Sequence, residues 1–302
     1  MNVKDITIKK GMKVNELAEQ FSTTGFQASE FSRAVEVMDA MRSDKQCLRI
    51  FAFTANMVAS GLRGVFAQYI REGNVDAVIT TGGSIDHDLI RAYAPYEMGS
   101  FAADDIALHK KGINRIGNIL VPNARYELLE KKVQPVFKKM HEKQHIITPS
   151  SLVTELTAGI KDKNSIMKAC LERHVPIYSP NILDSALGLQ LYFFKQDHAG
   201  FVLDELKDMR TLGNSIITAK RTGAVILGGG TAKHFTIASN ILRGGLDYAA
   251  YFTTAQEYDG SLSGARVQEA KSWGKVGEKA RSACVYGDAT ITFPLAVASL
   301  EI

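Results

Sequence analysis

The chain has 302 residues, 45% hydrophobic and 23% charged, near the average for globular proteins. Its formal net charge of +4 is spread along the chain, which argues against nucleic acid or a membrane surface as partner. Cys47, Cys170 and Cys284 are odd in number and form no CxxC, so neither a disulfide framework nor a metal site is expected. The first residues, MNVKDITIKKGMKV, lack the apolar stretch of a signal peptide, and no run approaches about 18 uncharged apolar residues. A cytoplasmic protein without a membrane span is expected.

In chain order, residues 1–44 read as a helical arm or cap with a charged surface. LRIFAFT (Leu48 to Thr54) reads as a buried strand, and a helical pattern runs from Asn56 to about Arg71. DAVITTGG (Asp76 to Gly83) reads as a strand, a glycine turn and a helix start. IGNILVP (Ile116 to Pro122) is the next strand. Helices are expected over Tyr126 to His141, Ser150 to Lys161 and Ser165 to His174. VPIYSP (Val175 to Pro180) reads as a strand and Leu203 to Lys220 as a helix. Three more strands are AVILGGG (Ala224 to Gly230), YAAYFTTA (Tyr248 to Ala255) and ACVYGDATITF (Ala283 to Phe293). Continuous apolar runs, rather than alternating ones, indicate strands covered on both faces. The expected fold is α/β: a doubly wound, mostly parallel, Rossmann-like sheet with an N-terminal helical arm, in a single domain over residues 1–302.

In such sheets ligands bind beyond the C-terminal strand ends. Four ends here share one composition: TANMVASG, TTGGSIDHD, GGGTAKH and GDAT. Small residues let backbone N–H groups approach a ligand, and helix N-termini favour phosphates. Any one of these is equally a tight βα turn; together they favour a nucleotide. The G-x-G-x-x-G fingerprint is absent, since Gly228-Gly229-Gly230-Thr231-Ala232-Lys233 lacks the last glycine.

EYDGSLSGARVQEAKSWGK (Glu257 to Lys275) places the only tryptophan two residues before a lysine, after an acidic loop. A lysine that sheds its proton can form an imine, and burial against aromatic surface promotes that loss. Glu257, Asp259 and Glu269 suit a cationic amine. The other reading is a surface loop with Lys275 solvated. His234, at a helix start, is either a neutral proton acceptor or a solvent-facing side chain. His141 and His145 are four apart, but KKMHEKQH reads as a solvated helix end.

LGGGTAKH, DYAAYFTTAQEYDGSLSGARVQEAKSWGKV and VYGDATITFPLAV resemble the C-terminal half of deoxyhypusine synthases. FTANMVASG, ITTGGSIDHDLIR and YSPNILDSALG follow the same order and spacing upstream. The resemblance covers nearly all of the chain after about Ser43, in an archaeal or bacterial form. It implies NAD as cofactor, spermidine as amine donor and a lysine of the hypusine-bearing translation factor precursor as acceptor. It also implies a homotetramer with NAD sites between paired subunits. By resemblance Lys275 forms the imine, Trp273 packs on the aminobutyl chain, His234 is catalytic and Glu269 contacts substrate. Asp259, Gly260, Ser261 and Asp86 are expected on the substrate side. For NAD the matched positions are Asn56, Thr81, Gly82, Gly83, Asp184, Gly229, Thr254, Ala255, Asp288 and Ala289.

Three positions depart from the pattern. Eukaryotic members carry aspartates where this chain has Leu189 and Leu262, and a glutamate where it has His87. Each carboxylate lost at an ammonium site removes about 1.5–3 kcal/mol. Transfer to a small amine such as putrescine, as in a homospermidine synthase, or use of a different amine donor, is therefore the alternative expectation.

Overall fold

The computed structural model describes residues 2–300. The chain opens with α1 (Val14–Phe21) and α2 (Gln27–Ser43); α2 buries Phe31, Ala34, Val37, Met38 and Met41 at helical spacing. β1 (Cys47–Phe53) follows. The single helix expected from Asn56 to Arg71 is two, α3 (Ala55–Ser60) and α4 (Arg63–Arg71), because Gly61 at φ 120° breaks the ladder. β2 (Ala77–Thr80) leads through Thr81 into α5 (Gly82–Arg91).

Then come β3 (Glu97–Met98), α6 (Asp105–Lys110), β4 (Ile113–Ile116) and β5 (Ile119–Pro122). IGNILVP, expected as one strand, is therefore split. β4 and β5 pair antiparallel around Gly117, whose φ of 60° permits the tight reversal. With β3 they form a separate sheet.

α7 (Ala124–Lys143), β6 (Ile146–Ile147), α8 (Pro149–Thr157), α9 (Ile166–Glu172), β7 (Ile177–Tyr178), α10 (Ala186–Asp197), β8 (Val202–Leu203) and α11 (Glu205–Thr218) lead to the C-terminal third. That third holds β9 (Arg221–Leu227), α12 (Gly230–Ser239), β10 (Leu246–Thr253), α13 (Val267–Ser272), β11 (Val276–Tyr286) and α14 (Ala289–Ser299). The strand expected over Ala283 to Phe293 stops at Tyr286. Asp288 then accepts the Thr290 N–H at 2.8 Å and starts α14, so capping overrides the β preference of Thr290, Ile291 and Thr292.

The described chain divides into two compact units. The first comprises residues up to 53, residues 72–79 and those from 209 onward. In it β1 pairs with β9, β9 with β10 and β10 with β11, all parallel, and β2 lies beside β1. Phe53 faces Leu227, Leu227 faces Phe252 and Phe252 faces Val285, so these strands end level. The turns after them emerge along one edge, where a parallel sheet offers its ligand site. Beneath that edge the buried rings of Phe51 and Phe293 stack at 5.4 Å.

The second unit, residues 54–71 and 80–208, is mainly helical. Its interior holds a charged knot. Arg63 Nε donates to Asp88 at 2.6 Å and Nη2 to Asp162 at 2.8 Å; Asp88 also accepts Ser165 Oγ and the Met167 N–H.

Candidate active site

Within the first unit a cavity of about 260 Å³ is lined by Lys275, Trp273, Glu269, His234 and Leu262, together with Lys233, Ile237, Tyr251, Ala265, Arg266 and Ala270. Local chemistry explains the Trp-Gly-Lys order. Trp273 ends α13, and Gly274 turns left-handed at φ 65°. The Gly274 N–H bonds Lys271 O at 3.0 Å and the Lys275 N–H bonds Ala270 O at 2.9 Å, closing a Schellman motif. The chain then enters β11 at Val276. Lys275 thus sits on a rigid corner, its Nζ 5.0 Å from the centre of the Trp273 ring.

α12 starts without a side-chain cap after Gly229, and His234 projects from its exposed side. Glu269 lies on α13, exposed, and is the only carboxylate lining the cavity among the described residues. Asp259, Gly260 and Ser261 form the exposed turn just before the wall, which begins at Leu262. There Asp259 Oδ1 accepts the Ser261 N–H at 2.7 Å.

Asp86 lies in the second unit, buried on α5. Its two oxygens accept the N–H groups of Ala186 at 2.8 Å and Leu187 at 2.9 Å, capping α10. Burial pushes its carboxyl up to about 7, against the pull of those donors. His87 is buried beside it, Nδ1 2.8 Å from the Tyr96 hydroxyl, and burial pushes it down to about 4. Leu189 is an exposed residue of α10.

The residues matched to NAD fall in both units. In the first, Gly229 follows β9, Thr254 and Ala255 follow β10, and Asp288 and Ala289 follow β11, all along the level strand edge. In the second, Gly82 is buried so tightly that a Cβ would lie 2.5 Å from Ile182 O and from Ser185 Oγ, beside the segment carrying Asp184. A Cβ on Gly83 would lie 3.0 Å from Ala55, the neighbour of Asn56. Gly82→Ala is expected to cost about 1–3 kcal/mol in a denaturant titration, because the Ile182 carbonyl must move.

Lys233, Tyr251 and Arg266 were not singled out in the sequence. For Lys233 a signal exists: with Ala232, Thr236, Ile237 and Asn240 it falls on the buried stripe of the helix, a face where lysine is out of place. Burial pushes its ammonium down to about 8 from 10.5. Between those values the unfolded chain binds more protons than the folded one, so stability rises with pH. Relative to Lys233→Met, the wild-type chain is expected to gain on the order of 3 kcal/mol from pH 7 to 11, read by urea titration at each pH.

A level parallel strand edge with glycine turns, beside a cavity holding a lysine against a tryptophan, defines an α/β protein with a ligand-binding strand edge. The chain belongs to the deoxyhypusine synthase family, whose model matches residues 16–300. Two relatives named probable deoxyhypusine synthase, both archaeal, agree. The one from Thermoplasma acidophilum is 41% identical over 298 residues, covering 98% of this chain and 96% of its own. The one from Ignicoccus hospitalis is 42% identical over 301 residues, covering 97% and 93%. A crystal structure from Entamoeba histolytica, named as a candidate deoxyhypusine synthase, shares the fold with a TM-score of 0.70 at 22% identity, covering 98% of this chain and 96% of its own. Family membership makes the chain an NAD-dependent transferase of hypusine biosynthesis that carries out spermidine-dependent aminobutyl transfer. No helix among the described residues is long and apolar enough to cross a membrane.

Proposed function

We propose that the cavity around Lys275 is the aminobutyl site and that Lys275 carries the transferred group as an imine. The observation that carries this reading is the seating of Lys275 Nζ against the Trp273 ring in the cavity that also holds Glu269 and His234. Glu269 pairs with the donor's ammonium. Trp273 supplies the apolar face for the four-carbon chain. His234 takes the proton from the amine nitrogen at which oxidation begins. Lys275 Nζ, as the free amine, adds to the substrate imine carbon; the C–N bond to the diamine fragment breaks, and that fragment leaves with a proton. The acceptor lysine then adds in the same way and displaces Lys275.

The chemistry NAD supplies when bound is hydride acceptance from the amine carbon and its later return. The residues present fit such a group. Gly229, Thr254, Ala255, Asp288 and Ala289 stand on the level strand edge, and Asp288 is exposed while one of its oxygens holds the start of α14. In the second unit no side chain caps α5 after Thr81, leaving first-turn N–H groups for phosphate, and Gly82 and Gly83 permit the close approach. Asn56 and Asp184 are exposed and complete the assignment. Asp259, Gly260 and Ser261 border the donor's entry, and in the second unit Asp86 contributes by holding the start of α10.

The assembly we propose is a homotetramer with NAD sites between paired subunits. The 66% exposure of Trp273 and 87% of Tyr258 on the single chain support a covering partner. Free cysteines, two of them buried, fit the cytoplasm. Leu262 in the cavity wall favours one second reading, a small amine such as putrescine as acceptor, because a carboxylate is missing there.

The test uses purified protein, NAD, spermidine labelled in its aminobutyl part and the translation factor precursor. Label on the precursor supports the reading. Label only in a small polyamine moves the acceptor to the second reading. A borohydride-trapped adduct on a residue other than Lys275 would sink the assignment.

A further inference from the structure

Lys233 lines the cavity but has no part in the steps above. It is 1% exposed, and its Nζ donates to Ala265 O at 2.7 Å and Ser263 O at 3.1 Å while lying 4.7 Å from the centre of the Tyr251 ring. Its three donor directions are thus met by two carbonyls of one loop and one aromatic face. The same loop touches α12 a second time: Ser263 Oγ accepts the Gly230 N–H at 2.9 Å. The approach is close enough that a Cβ on Gly229 would lie 2.3 Å from Ser263 Oγ, and one on Gly264 would lie 1.8 Å from Gln256 O.

A buried ammonium is costly, and among the described residues no carboxylate bonds it; Glu269 acts on it only through its charge. Arg266, His234 and Lys275 share the cavity. Such a cation is tolerated where it fixes something. What it fixes is the segment carrying Leu262, Ala265 and Arg266, one wall of the cavity.

We infer that Lys233 is the positioning residue of the amine pocket, tying the loop over residues 261–266 to α12 so that Leu262, Ala265 and Arg266 stand as the wall against which the donor amine binds. The inference rests on the reading of this cavity as the aminobutyl site. Lys233 contacts no reacting atom; it acts through the loop, and its removal weakens ground-state binding rather than chemistry.

The experiment compares wild type with Lys233→Met, which keeps length and removes the donors, by hydrogen exchange and by steady-state kinetics. Amides over residues 261–266 are expected to exchange at least tenfold faster in the variant. KM for spermidine is expected to rise at least tenfold with kcat within threefold. Gly264→Ala keeps Lys233 and displaces the same loop by contact with Gln256 O. It is expected to show the same split, and it carries the test if Lys233→Met does not fold. In the wild-type protein the amides of residues 263–265 are expected to be protected like those of α12; free exchange there overturns the inference. Unchanged exchange in the folded Lys233→Met variant also overturns it, as does a fall in kcat with KM unchanged, which would put Lys233 in the chemistry. Faster exchange with spermidine affinity within twofold of wild type would leave the tie standing and remove the cavity's reading as the amine site.

Discussion

Lys275→Ala is expected to lose transfer to the acceptor by a factor on the order of 10³ or more, together with the borohydride-trapped adduct. The argument is local. Lys275 holds its corner through backbone bonds, its N–H to Ala270 O and its carbonyl to the Leu246 N–H, and neither needs the side chain. Removing the ammonium therefore costs little stability, and the loss is chemical. Oxidation of the amine does not call on Lys275, so slow spermidine-dependent reduction of NAD is expected to persist. The imine then adds water and breaks into an aldehyde and an amine. Single-turnover absorbance of the reduced cofactor, followed alongside product analysis, separates the two steps. Full transfer by the variant would remove the lysine-borne intermediate. Loss of the oxidation step as well would place Lys275 earlier in the reaction.

Arg63→Met is expected to destabilise the second unit by about 3–5 kcal/mol. Arg63 is 5% exposed and Asp88 1%, so the substitution strands a carboxylate in the interior. Ser165 Oγ and the Met167 N–H would still reach Asp88, at 2.7 and 2.9 Å, but among the described residues no other cation bonds it; Arg91 acts on it only through its charge. Asp162, also bonded by Arg63, is less buried and can turn to water. A drop in melting temperature of roughly 10 °C follows for a chain of this size. The double variant Arg63→Met with Asp88→Asn is expected to recover part of the loss, since the stranded charge goes with it. Melting by circular dichroism checks both. A shift under 2 °C for the single variant would mean that water reaches Asp88.

The two expectations differ in how they could have been reached. Lys275, Trp273, His234 and Glu269 stood out because Trp-Gly-Lys, the preceding acidic loop and the triple glycine are local patterns that also carry the family resemblance, and the cavity gathers all four. The turns at the strand ends were legible for the same reason, as each is a short run of small residues after an apolar run. The charged knot was not. Arg63, Asp88, Asp162 and Ser165 are scattered over a hundred positions, and nothing near any of them marks it as buried.

Local pattern also failed where two local rules conflict. In ACVYGDATITF the β-branched residues favour a strand and Asp288 favours a helix start; the cap won because a helix there lays Phe293 on Phe51. In IGNILVP, Gly117 and Asn118 favour a turn, but Ile116 before it and the apolar run Ile119 to Val121 after it hide it.

The sequence by itself determined the strand runs of the parallel sheet, the glycine turns at their ends and the lysine corner, because each is set by neighbours a few residues away. Only the tertiary structure decided which polar groups are interior. Asp86 is spent on the start of α10, and Lys233 is drawn onto the carbonyls of Ser263 and Ala265. The cost of burying a charge, and the groups that offset it, come from chain segments tens of residues distant.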